Sequence, residues 1–307
     1  MDGARLPASR RARALAALLS AVALLSACGG SGRDASGAPS GAPSGTSASG
    51  KPATVPATPD PSASASASAT ATPRRVHTAV YFLHQGKLSA APRTVTGPAT
   101  AAAALRALLA GPNGYERGHE RATAIPSGTT LRSLAVRDRV ATVDLSGRYD
   151  DASGTPVESR LAQVVFTATG FPGVEKVRFR VDGGPPTGLG TAATGRPLAR
   201  SDFEELSPAV LVESPLLGDT VATPLRVHGT ANTFEAEFRL RISDGSGRKI
   251  ADVRVSATSG SGTRGTFDVT VPYRAAGGGP GTLTAYVLSA EDGRRIVVAT
   301  VPLTLTG

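Results

Sequence analysis

Between Thr155 and Gly184 the spacing of apolar residues changes once, and the change marks two elements. Leu161, Val164, Val165 and Ala168 recur at i, i+3, i+4 and i+7, the stripe of a helix that buries one face. Thr155 at the N-cap, Pro156 in the first turn and Glu158 as the capping-box carboxylate predict a helix over 155–170. The stripe assigns Leu161 and Val165 to the core and leaves Arg160 on the polar side. Gly170 and Phe171-Pro172-Gly173 stop the helix. Val177, Phe179 and Val181 then alternate with Lys176, Arg178 and Arg180, the pattern of a half-buried strand over 174–181. Asp182-Gly183-Gly184 is a turn signal.

The same reading extends in both directions. Val76–Leu83 is β-branched and aromatic, a buried strand, and Leu88–Val95 is its candidate partner. Pro98-Ala99-Thr100 opens a helix with Ala101, Leu105, Leu108 and Leu109 on its apolar face, and Gly111-Pro112 ends it. A polar loop through Tyr115, Arg117, His119 and Glu120 follows. Leu131–Val136 and Val140–Leu145 form a hairpin through Arg137-Asp138-Arg139. Strand, strand, helix, hairpin, helix, strand is an α+β order for 76–206. Over 207–307 the pattern is different: Ala209–Val212, Leu225–Gly229, Ala236–Ser243, Lys249–Ser256, Thr266–Tyr273, Thr282–Ser289 and Arg295–Leu303 are short strands separated by turns. That spacing predicts an immunoglobulin-like β-sandwich, without the disulfide and core Trp of antibody domains.

Four segments carry a resemblance: Leu-Arg-Ala-Leu-Leu-Ala-Gly-Pro (105–112), Ala-Ile-Pro-Ser-Gly-Thr (124–129), Val-Ala-Thr-Val-Asp-Leu-Ser (140–146) and Leu-Ala-Gln-Val-Val-Phe-Thr-Ala-Thr-Gly-Phe-Pro-Gly-Val (161–174). In this order they resemble the GerMN domain of sporulation and germination proteins and of many actinobacterial lipoproteins, over most of 78–200. Val-Glu-Ser-Pro (212–215), Pro-Leu-Arg-Val-His-Gly-Thr-Ala-Asn-Thr-Phe-Glu-Ala (224–236) and Gly-Thr-Phe-Asp-Val-Thr-Val-Pro-Tyr (265–273) resemble the immunoglobulin-like domain of bacterial spore germination proteins. The pairing implies envelope assembly or binding rather than a reaction.

The front of the chain supplies an address. Arg5, Arg10, Arg11 and Arg13 precede an apolar run from Ala14 to Ala27, too short for a membrane span. Leu25-Ser26-Ala27-Cys28 matches the bacterial lipobox, so residues 1–27 read as a lipoprotein signal peptide. Cys28, the sole cysteine of 307 residues, is the expected lipidation site, and membrane lipid is the first expected partner. Ser9-Arg10-Arg11 is a partial twin-arginine signal. Residues 28–75, nearly all Ala, Ser, Gly, Thr and Pro, are expected to form a disordered linker. A flexible coil of that length spans roughly 35–40 Å end to end, a tether lifting the folded part off the membrane. The formal charge of +9 falls to +6 once the signal's four Arg and one Asp are removed. Both signs are spread through both modules, which argues against nucleic acid as a partner.

Candidate chemistry is sparse. His77 and His84 lie seven apart on one strand and so face opposite ways; His119 is in a loop and His228 in a sandwich strand. Asp144, Asp150 and Asp151 crowd one region without the spacing of a calcium loop. No Gly-x-Ser-x-Gly occurs. Gly188-Leu189-Gly190 has no helix behind it to hold a dinucleotide. Glu204 and Glu205, at the junction of the modules, read as a solvated face, although paired carboxylates also serve glycoside cleavage. No catalytic, metal or cofactor residue is assigned. The leading expectation is a non-enzymatic lipoprotein on the outer face of the cell membrane, with two modules that engage protein or wall polymer. The alternative is an envelope hydrolase or carbohydrate-binding protein with a cleft between the modules. Convergent carboxylates with raised pKa would favour that alternative.

Overall fold

The computed structural model describes residues 75–97, 100–151, 156–190 and 195–307. Cys28, the rest of the signal and linker through residue 74, and the expected N-cap Thr155 lie outside them.

The first module is built around one helix. β1 (Arg75–His84) pairs antiparallel with β2 (Lys87–Thr96) as a two-stranded sheet. The helix α1 (Ala101–Leu109) follows, its N-cap hydroxyl at Thr100 accepting from the Ala103 amide, and it buries Ala101, Ala104, Leu105 and Leu108. The segment expected to be a long polar loop contains a short helix, α2 (Gly114–Gly118). Asn113 and Glu116 form a reciprocal cap: the Asn113 side chain accepts from the Glu116 amide at 2.9 Å, and the Asn113 amide donates to the Glu116 carboxylate at 2.7 Å. That local signature sits in the sequence, but the segment is too short to show an apolar period. β3 (Leu131–Arg137) and β4 (Val140–Leu145) form the expected hairpin, with Asp138 and Arg139 both at positive φ, as a two-residue turn of this hand requires. β5 (Lys176–Val181) pairs parallel to β4, and α3 (Val157–Ala168) is the crossover between them.

α3 starts later than the pattern suggests, with Pro156 at the N-cap and no side-chain cap, and it is buried on nearly every side. It packs on β1, on α1 and on a 3-10 turn at Arg200–Leu206. The assignment of Arg160 to a polar face is therefore corrected: the residue is completely buried. Its guanidinium donates to the carbonyls of Tyr149 at 2.6 Å and Asp151 at 2.8 Å and lies 5.8 Å from the centre of the Tyr149 ring. A second stripe, Ser159, Gln163 and Thr167, is buried and polar. Gln163 accepts from the Ala124 amide and donates to the Tyr81 carbonyl, while Thr167 accepts from the Tyr81 amide. Side chains of α3 thus satisfy the backbone of β1 where no neighbouring strand does.

The second module is a sandwich. β6 (Val210–Ser214), β8 (Leu225–Ala231) and β11 (Gly265–Val271) form one sheet in the order β11-β8-β6. The other holds β7 (Thr220–Val221), β9 (Glu237–Asp244), β10 (Lys249–Ser256), β12 (Gly279–Leu288) and β13 (Arg295–Leu305) in the order β10-β9-β12-β13-β7. Phe238, Leu240 and Ile242 point inward as their alternation implied. β7, two residues long and parallel to the end of β13, carries no alternation to read and was not expected. The α+β module followed by the immunoglobulin-like sandwich is the architecture the chain pattern implied.

Candidate functional site

The residues with the most connected chemistry lie where the two modules meet. Tyr81 comes from β1, Arg200 from the 3-10 turn leaving the first module, and Glu213 from β6 of the second. Gly229 on β8 sets the place of Glu213. A Cβ there would lie 2.0 Å from the Leu211 carbonyl oxygen and 3.1 Å from the Glu213 amide, so only glycine lets β8 run this close to β6. Leu211, on the same strand, is buried in the core of the first module. The junction is thus packed as well as hydrogen-bonded.

Arg200 donates to Glu213 at 2.6 Å, to the Tyr81 hydroxyl at 3.3 Å, to the Phe166 carbonyl at 3.1 Å and to the Thr169 hydroxyl at 2.8 Å. Its guanidinium also lies 4.8 Å from the Phe166 ring centre and 5.3 Å from that of Tyr81. The Tyr81 hydroxyl donates to Glu213. Burial pushes the Tyr81 hydroxyl far above the ordinary phenol range; Arg200 opposes the shift and Glu213 adds to it. A tyrosine held so firmly protonated donates a hydrogen bond and does not act as a base. These groups wall a cleft of about 630 Å³, with Thr78, Ser201 and His228 on its sides.

A second strut stands beside the first. Glu204 accepts from Arg264 through both oxygens, at 2.9 Å, and from the Asn232 amide group at 2.9 Å. Hydrogen bonding by Arg264 holds this carboxyl below its usual range against the opposing effect of partial burial, with Asn232 assisting. Glu204 is therefore a tie between the modules, not part of a solvated face; its neighbour Glu205 is exposed. A further hollow of about 460 Å³ lies between β2, β6 and β13, where Lys87 is the lone lining residue of fixed charge.

The remaining candidates stay apart. His77 is exposed on β1, His84 approaches Glu120 at 3.4 Å, the His119 ring lies against Tyr115, and His228 is half-buried on β8. Asp150 accepts from the Thr187 amide and hydroxyl and from the Gly188 amide, which pins the backbone at Thr187 and Gly188. Asp144 accepts from the Gly183 amide on the β5 side. Among the described residues no three His, Cys, Asp or Glu side chains are grouped to hold a metal ion. No helix among them is long and apolar enough to cross a membrane. Every carboxylate there with a resolved shift is shifted down, Asp202 and Glu204 at the junction included.

Two family models match the two modules in turn. Residues 79–187 match the family model Germane, described as sporulation and spore germination. Residues 209–294 match Gmad2, the immunoglobulin-like domain of bacterial spore germination. The chain is 29% identical over 163 residues to lipoprotein LpqB of Cutibacterium acnes (strain DSM 16379 / KPA171202), a match covering 51% of this chain and 27% of that relative. The chain therefore spans about a quarter of the relative's length. Among solved structures, the tandem GerMN domains of the sporulation protein GerM from Bacillus subtilis match at 14% identity and TM-score 0.34, over 59% of this chain and 60% of that one. The first GerMN domain alone matches at 21% identity and TM-score 0.32, over 41% of this chain and 99% of that one.

Proposed function

We propose that this chain, a Germane module followed by a Gmad2 module, is a non-enzymatic lipoprotein held by Cys28 to the outer face of the cell membrane. There its two modules act as one rigid binding unit in envelope or sporulation and germination-related assembly. The observation that carries this reading is the junction. Its carboxylates Glu204 and Glu213 are each held by an arginine of the other module, Arg264 and Arg200. A general acid needs a carboxyl raised toward neutrality, whereas Glu204 is lowered. Groups engaged this way fix the orientation of two surfaces, which is what a scaffold requires.

Crosslinking of the full chain in membranes, with identification of captured proteins, tests the binding role. Incubation of the purified chain with isolated wall polymer tests the alternative. Retention without release of soluble fragments fits a scaffold. Release of fragments that is lost in Glu213→Gln overturns it in favour of a hydrolase.

A further inference from the structure

The sheet β3-β4-β5 has one covered face and one open face. Val143 and Leu145 of β4 and Val177 and Phe179 of β5 point into the first-module core. The residues that alternate with them point the other way. On β5 these are Lys176, Arg178 and Arg180, all exposed. Arg137 of β3, also exposed, lies level with Lys176, one strand away across Val140. Arg132, at the bulge of β3, approaches Asp144 at 3.7 Å and Asp182 at 3.1 Å. The open face thus carries these five cations against two carboxylates, and Arg132 alone answers both carboxylates.

The other four cations are left over. Arg180 donates to a carbonyl, that of Gly183, at 2.9 Å. Among the described residues no carboxylate stands within ion-pair distance of Arg137, Lys176 or Arg178. Lys176 acts on Asp202 at longer range, but Arg196 already holds Asp202 at 2.7 Å. At the turn end of the sheet Arg139 and Glu175 close on each other at 2.8 Å, with Asp138 at the tip. The second module shows the contrast. Its strand arginines Arg226, Arg239 and Arg254 are each paired with a carboxylate of the neighbouring strand, Asp268, Asp252 and Glu237. Lys and Arg on an edge strand also keep other strands from pairing with it. On β5 that need is met by Leu198, whose amide and carbonyl exchange bonds with Val177 at 2.8 Å each.

We propose that this face binds a phosphodiester polymer of the wall, an extended polyol phosphate chain laid along β5. Alternate residues of a strand lie about 6.6 Å apart, so β5 offers cations at a regular interval to a chain of regularly repeated anions. Arginine supplies most of them, and its planar fork matches phosphate oxygens two at a time. No aromatic side chain interleaves with them on these strands, so a nucleic acid base finds nothing to stack on. The outward apolar residues are only Ala135 and Val140, too small to anchor the face in a bilayer. A wall partner rests on the placement outside the membrane proposed above; affinity for a polyphosphodiester does not.

The test uses the full chain with Cys28→Ser and lipid-free, fluorescein-labelled polyglycerol phosphate, read by fluorescence anisotropy. Binding should weaken as salt rises, because neutralised phosphates release counterions. Neutralising Arg137→Gln, Lys176→Gln and Arg178→Gln together should weaken it at least about tenfold and flatten its salt dependence. A second triple variant removes the same charge elsewhere: Arg106→Gln, Lys249→Gln and Arg274→Gln. It should change affinity less than about twofold, because distant exposed charges are screened. All six side chains are exposed, so both variants should keep the parent melting midpoint. No binding at low salt, or an equal loss in both triple variants, overturns the proposal. Equally tight binding to poly-L-glutamate would assign the face to an acidic protein instead. Tighter binding to phosphatidylglycerol vesicles, lost in the first triple variant, would assign it to the bilayer. None of these outcomes bears on the Cys28 anchor, which cell fractionation tests separately.

Discussion

Arg200 and Glu213 meet at 2.6 Å across the junction of two modules, with less than a third of either side chain exposed. The pair is not isolated. The Tyr81 hydroxyl bonds to both, and Arg200 also reaches the last turn of α3 through the Phe166 carbonyl and the Thr169 hydroxyl. One arginine therefore links β1, α3 and β6. Losing either charge strands the other in a partly dry site, so the effect of the pair exceeds that of an exposed ion pair.

A double-mutant cycle with Arg200→Met and Glu213→Gln should reveal coupling of roughly 0.5–3 kcal/mol, as expected for residues sharing one network. Denaturant midpoints of the two single variants and the double variant measure it. Coupling near zero would mean that the junction holds by the Glu204–Arg264 tie and the packing around Leu211, without this pair.

Leu161→Ala should cost on the order of 2–5 kcal/mol, because the side chain is completely buried between α3 and the first-module core. Arg160→Ala should also be severe. It removes the donor to the Tyr149 and Asp151 carbonyls, and the buried Tyr149 carbonyl left without that donor costs about 1–3 kcal/mol. Urea midpoints compare the two. A small shift for Arg160→Ala beside a large one for Leu161→Ala would show that Arg160 leaves the interior without cost.

That comparison shows where the sequence could be read and where it could not. The stripe Leu161, Val164, Val165, Ala168 located a real buried face, because apolar period reports burial directly. Arg160, Gln163 and Thr167 are equally buried, yet polarity makes them look exposed. Their partners are backbone groups outside the helix, Tyr149 and Asp151 at 11 and 9 residues before Arg160 and Tyr81 and Ala124 at 39 to 86 residues before Gln163 and Thr167, so no helical period announces them. The junction is a stronger case. Glu204 and Arg264 lie 60 residues apart, and Tyr81 and Glu213 lie 132 apart. The strands of the sandwich were legible because alternation is local, except β7, whose two residues have no period.

Cys28→Ala should move the protein from the membrane fraction to the soluble extracytoplasmic fraction. The motive is the lipobox Leu25-Ser26-Ala27-Cys28 around the sole cysteine, together with the likeness to a lipoprotein. Fractionation and immunoblotting read the outcome. Unchanged membrane association of Cys28→Ala would refute the anchor.

The Glu204 tie should make the junction acid-sensitive. Its folded pKa lies below the ordinary carboxylate value of 4.5, because Arg264 and Asn232 bond to the charged form. A group depressed on folding binds protons more readily in the unfolded chain, so its contribution is present above the unfolded pKa and is lost as pH falls through the folded one. Asp150 and Asp202 are shifted the same way and give the protein a background acid slope. Glu204→Gln keeps the shape and can still accept from Arg264, but it has no proton to take up. The variant should be less stable than the parent at neutral pH, and the gap should narrow as pH drops below about 4.5. Unfolding free energies from urea titrations at several pH values down to about 3 would measure that gap. Parallel curves with a constant offset would show that the Glu204 charge contributes nothing to joining the modules, which then rest on the Arg200–Glu213 pair and the packing at Leu211.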